Sequence, residues 1–116
     1  MGILLTVRND EFAFTREYRV ELTAIELHPT KHGKLLKWVF RTLDTEKRTL
    51  IAYIHYSTSP ASKCVNWVLA LLDKPLPTNG TVDLEQLVGK TAIALVEIRR
   101  RNNTDYYRVV ALEPDY

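Results

Sequence analysis

Hydrophobic and polar residues alternate along much of this chain, and one long stretch departs from that rhythm. Residues 16–27 place Val20, Leu22 and Ala24 on one side and Arg19, Glu21 and Thr23 on the other, the period-two pattern of a half-buried strand. The alternation slips near Ala24-Ile25, where a β-bulge would turn Ile25 and Leu27 inward. Residues 28–34 contain Pro29 and Gly33 and read as a loop. Residues 35–43 set Leu36, Trp38 and Phe40 against Lys37, Val39 and Arg41 and predict a second strand; residues 49–56, rich in β-formers, predict a third.

At Ser59 the period becomes helical. Ala61, Cys64, Val65, Val68, Leu71 and Leu72 recur at helical spacing, Ser59 stands as N-cap and Pro60 takes the first helical position, so the main helix is expected at about 60–72. Pro75 and Pro77 should end it. Asp83 with Gln86 three residues on, closed by Gly89, predicts a helix of one to two turns. Residues 91–100 and 106–112 are apolar strands joined by a turn whose Asn102-Asn103 tip tolerates positive φ. Residues 1–15 read as an N-terminal arm or extra edge strand, leaving 16–116 as the domain.

The predicted order is strand, strand, strand, helix, strand, strand. This makes the chain all-β with one main helix, and five strands with the helix between the third and fourth is the order of the OB-fold. That fold is a five-stranded Greek-key barrel that binds oligonucleotides through strands 2 and 3 and the loops joining strands 1–2 and 4–5. A doubly wound α/β fold needs a helix after nearly every strand and is excluded.

Three segments carry a family resemblance: Gly33-Lys34-Leu35-Leu36-Lys37-Trp38-Val39-Phe40, Ser57-Thr58-Ser59-Pro60-Ala61-Ser62-Lys63, and Val82-Asp83-Leu84-Glu85-Gln86-Leu87-Val88-Gly89-Lys90. In these the chain resembles the OB-fold single-stranded DNA-binding-like proteins of phages and other mobile elements, over residues 16–114. The resemblance implies a replication or recombination accessory that coats or guides single strands, and it transfers no catalytic residue.

Composition changes this picture little. The chain has 116 residues, 46% of them hydrophobic and 26% charged, enough for one globular core without disulfides or a structural metal. Cys64 is the sole cysteine and can form no internal bridge, so a reducing cytoplasm is the expected compartment. The longest uncharged run, residues 49–62, contains His55, Pro60 and several hydroxyls and is too short for a membrane helix. No membrane association is expected.

Charge placement changes it more. The net charge is only +2, yet Lys31, Lys34, Lys37 and Arg41 fall in a segment without acids, and Arg99, Arg100 and Arg101 form a second cluster. Under the barrel reading both clusters border the oligonucleotide groove, where cations attract phosphates and flat side chains stack on bases. Tyr53 and His55 share the outward face of strand 3, and Tyr106 or Tyr107 stands near Arg108. These residues make up the candidate interface, with single-stranded DNA or RNA as partner. Trp38 shares the apolar side of its strand with Leu36 and Phe40; core packing is its expected role, and it joins the stacking set only if the strand-2 register is inverted by one residue.

Other chemistry finds little footing. His28 and His32 have a zinc-like spacing, but Pro29 and Gly33 place them in a loop without further ligands, so no metal is expected. Gly89-Lys90-Thr91 lacks the earlier glycine of a P-loop. The sequence has no matched acid–base pair and no nucleophile beside a base, so neither an enzyme nor a cofactor is expected. The alternative function is a protein-interaction or structural adapter built on the same barrel, and edge strands leave a homo-oligomer open.

Overall fold

The computed structural model describes residues 12–72 and 82–115. The chain folds as a mostly antiparallel, five-stranded curled sheet, a half-barrel, with one α-helix. The elements are β1 (Phe12–Thr30), β2 (Gly33–Thr42), β3 (Thr49–His55), α1 (Lys63–Leu71), a short 3-10 turn (Leu84–Leu87), β4 (Thr91–Arg101) and β5 (Thr104–Pro114). The arm expected over residues 1–15 lies outside the described residues as far as residue 11; residues 12–15 already belong to β1.

The sheet order is β3-β2-β1-β4-β5. β1 is long enough to serve two neighbours: its first half pairs with β4, from Phe12↔Arg100 to Glu21↔Thr91, and its second half with β2, from Val20↔Thr42 to Thr30↔Gly33. The two ladders meet at residues 20–21, and the β1–β2 register shifts between Leu22 and Ala24. Thr23 is the extra residue, and its Oγ1 donates to the Val39 carbonyl at 3.1 Å. A bulge adds twist, and here it bends β1 so that the sheet curls until β3 and β5 lie side by side.

Alternation selects the core, on β1 and β2 as the sequence predicts and on β4 likewise. Tyr18, Val20 and Leu22 of β1, Leu36, Trp38 and Phe40 of β2, and Ala92, Ala94, Val96 and Ile98 of β4 are all buried. Trp67 of α1 enters from the side, its ring centroid 5.5 Å from that of Trp38 and 5.8 Å from that of Phe40, both edge-on. Fully burying large apolar side chains stabilises by about 1.5–3 kcal/mol each. α1 packs chiefly on β5 and also touches β3 and β4.

Several boundaries differ from expectation. The helix is capped by Ser62 rather than Ser59: the Ser62 side chain accepts from the Val65 N–H at 3.2 Å, while the Ser62 N–H donates to the Ser59 carbonyl at 2.9 Å, closing a turn over Pro60 and Ala61 that precedes the helix. The loop expected over residues 28–34 shrinks to Lys31-His32, because Thr30 Oγ1 donates to the Gly33 carbonyl and accepts from the His32 N–H. Pro29 is tolerated in β1 because this half of the strand has lost its β4 partner and runs as an edge on that side. Leu27, expected inward, is 51% exposed, since the hairpin projects past the core. Asn102 and Asn103 take φ of 52° and 63° in the two-residue β4–β5 turn, the conformation a type I′ hairpin requires. Pro75 and Pro77 lie outside the described residues.

Candidate nucleic-acid interface

The outer face of β2 and β3 is built in cross-strand rows. Leu35 lies opposite His55, Lys37 opposite Tyr53, Val39 opposite Ile51 and Arg41 opposite Thr49. Side chains directly opposite in an antiparallel pair stand on the same face, so alternation that buries Trp38 and Phe40 necessarily turns these residues outward. Tyr53 is 60% exposed, and Ile51 beside it is 46% exposed. Lys37 is half-buried, while Arg41 and His55 are exposed. Among the described residues neither Lys37 nor Arg41 meets a carboxylate within ion-pair distance.

The β1–β2 hairpin projects beyond this face. Lys31 is exposed at its tip, and the Lys34 ammonium lies 5.8 Å from the centroid of the Tyr56 ring, just beyond the end of β3. The structure therefore brings together Lys37, Arg41, Tyr53 and His55, with Lys31 at the margin; Lys34 alternates with Lys37 and shares the opposite face with Leu36 and Tyr56, so it does not join them.

On the β4–β5 side the register sets Arg99 opposite Tyr106 and Glu97 opposite Arg108, all toward the outside. Tyr106 is 56% exposed, and Arg101 and Arg108 are also exposed. The triple-arginine run is not a uniform source of positive charge. Arg99 is engaged by Glu97 at 3.0 Å. Arg100 points to the opposite face and forms a two-pronged pair with Asp105, at 2.7 and 3.2 Å. This hydrogen-bonded pair raises the pKa of Arg100 and lowers that of Asp105. Arg100 therefore does not join the candidate interface. Trp38 does not join it either: its ring is fully buried, stacked near Phe40 at 6.4 Å, and offers no free face.

Curling of the sheet places β3 beside β5, and here the structure joins Lys63, which sequence reasoning missed, to Tyr53 and Arg108, which it named. A cleft of about 290 Å³ runs between the two strands, lined by Ile51, Tyr53 and Ile54 on one side, Tyr107, Arg108 and Val109 on the other, and Lys63 from α1. The Lys63 ammonium sits 5.3 Å from the Trp67 ring. Partial burial, and then the nearby Arg108, hold its pKa below the usual lysine value. Arg48, from the β2–β3 turn, lies with its guanidinium 4.0 Å over the Tyr107 ring. One signal for Lys63 was legible in the sequence: it falls in the first turn of the helix expected from residue 60, a turn that carries no acid. Its closeness to Arg108 depends on the curl and was not.

The arrangement offers aromatic surface beside cations on one continuous outer face. Among the described residues no group of three or more His, Cys, Asp or Glu could hold a metal ion, and no helix is long and apolar enough to cross a membrane. No protein-family model matches the chain, and no curated protein sequence matches it.

Proposed function

We propose that this chain is a non-catalytic OB-fold module that binds single-stranded nucleic acid with little sequence preference. One observation carries the reading: Tyr53 stands exposed between Lys37 on β2 and the Lys63–Arg108 pair across the β3–β5 cleft. Bases stack on aromatic faces whatever their identity, and neighbouring cations hold the backbone. The barrel assignment is supported by the fourth strand returning beside the first after a long connection that carries the helix, as in a Greek key. In this reading DNA is the preferred strand, and replication or recombination the setting.

The test is a fluorescence-anisotropy titration of labelled single-stranded oligonucleotides and of duplexes of equal length. Single strands are expected to bind more tightly, because their bases can reach Tyr53 while paired bases cannot. Equal affinity for duplex, or no complex at micromolar protein and low salt, would instead favour the protein-interaction adapter.

A further inference from the structure

We propose that the cleft between β3 and β5, at the N-terminus of α1, is a phosphate site, in which Lys63 and Arg108 hold the phosphate of a nucleotide and Tyr53 supports its base. The inference rests on the single-strand reading for the placement of the base, and on the cleft's own chemistry for the phosphate. Two adjoining clefts, of about 290 and 260 Å³, share Tyr53, Ile54 and Lys63. The second reaches the start of α1, where it is lined by Ser57, Ser62 and Cys64.

Two features of this cleft favour an anion, and a third favours a base beside it. The first turn of α1 carries no acid, and the Lys63 and Cys64 amides meet no acceptor among the described residues, while Ser62 caps only Val65. A helix start left in this way presents N–H groups and the positive end of the helix dipole. Next, Lys63 and Arg108 approach each other from different elements, and neither meets a carboxylate among the described residues. Two like charges lining one cleft repel; burial first, and then this repulsion, lower the lysine pKa, and a bound anion would offset the repulsion. Finally, Tyr53 is exposed at the mouth common to both clefts, so one ligand can touch its ring and Lys63 together. A phosphate tied to a flat base matches this juxtaposition, whereas a carboxylate peptide would leave the ring without a stacking partner.

The experiment follows backbone amide signals of the isotope-labelled full chain by NMR during titration with inorganic phosphate, thymidine monophosphate and thymidine, at constant ionic strength set with chloride. Phosphate and the nucleotide should shift the Ser62, Lys63 and Cys64 amides saturably. The nucleotide should also shift Tyr53 and bind at least about tenfold more tightly than thymidine. Lys63→Gln and, separately, Arg108→Gln should each weaken the nucleotide by a similar factor while leaving the melting temperature unchanged. Unmoved amides, thymidine binding as tightly as the nucleotide, or both variants binding like the wild type would overturn the site. A parallel oligothymidylate titration separates this outcome from the interface reading. If the oligonucleotide binds while phosphate leaves the α1 amides unmoved, the site falls and the interface stands. If the nucleotide binds at α1 but the oligonucleotide does not, the site stands and the interface falls; if neither binds, both fall.

Discussion

Trp38 and Tyr53 sit on adjacent strands yet have opposite surroundings, and substitution should separate their roles. Trp38 is fully buried against Phe40 and Trp67, and its Nε1 meets no hydrogen-bond partner, so packing alone holds the ring. Trp38→Ala should leave a large cavity and cost about 3–5 kcal/mol of stability, read as a fall in denaturant midpoint or melting temperature. Tyr53→Ala removes an exposed ring and should leave the melt nearly unchanged while weakening single strands by about 1–3 kcal/mol. An unchanged melt for Trp38→Ala would mean that the β2 register is shifted by one residue. Thr42 is a subtler case, the one fully buried polar residue among the described core. Its Oγ1 donates to Asp44 at 2.8 Å and accepts from the Arg48 N–H at 2.7 Å, so it fastens both sides of the β2–β3 turn. Thr42→Val keeps the shape but strands the Arg48 amide, and should destabilise the fold by about 1–3 kcal/mol in chemical denaturation.

Acidic side chains tie the ends of the strands, which gives the elements a pH dependence of known sign. Asp44 accepts from Thr42 and from the Glu46 and Lys47 amides in the β2–β3 turn. Asp105 pairs with Arg100 near the β4–β5 turn, and Asp115 fastens the end of β5 to Arg19 of β1 at 2.6 Å. Hydrogen bonds from Thr42, Arg100 and Arg19 respectively are the leading causes that hold the three pKa values below the aspartate value of 3.8. A carboxyl whose pKa is lower in the folded than in the unfolded chain contributes stability above the unfolded pKa and loses it as pH falls through the folded value. The melting temperature should therefore drop on acidification below about pH 4, and Asp44→Asn should make that drop shallower; parallel pH profiles for variant and wild type would contradict this. Strand order along the chain, the buried faces of β1 up to its bulge and of β2, the outward face of β3 and the Asn102-Asn103 turn were legible in the sequence, because each depends on a local period or a local φ; the hairpin end of β1, where Leu27 is exposed, was not. Less legible were the helix start and the hairpin tip, where Ser62 and Thr30 decide the geometry through hydrogen bonds that compete with equally plausible ones at Ser59 and Pro29. The candidate face was legible on β2 and β3 for the same periodic reason. The pairing of Arg100 with Asp105, which removes one cation from that face, and the meeting of Lys63 with Arg108 depend on register and curl, which no local pattern encodes.

At the scale of the whole molecule, what matters is that several cations with no ion-pair partner among the described residues gather around Tyr53 on the outer face. On this outer face Glu21 of β1 stands opposite Arg41 and Glu26 opposite Lys37, neither within ion-pair distance, and Lys37 and Arg41 with Lys63 and Arg108 at the β3–β5 cleft surround Tyr53. A strand crossing this side would neutralise about four phosphates and displace their counterions, so log K should fall against log salt with a slope of roughly −3. Between about 50 and 200 mM salt the affinity should then drop by roughly fiftyfold. Removing Lys37 and Arg41 together to alanine should flatten the slope by about 1.4, because each lost phosphate contact on a single strand is worth roughly 0.7. Arg100→Ala should leave the slope unchanged, since that guanidinium is committed to Asp105 on the other face. Anisotropy titrations of one oligonucleotide at four salt concentrations against the wild type and these two variants provide the measurement. A slope near zero in the wild type, or an equal flattening by Arg100→Ala, would show that this side of the half-barrel does not carry the strand.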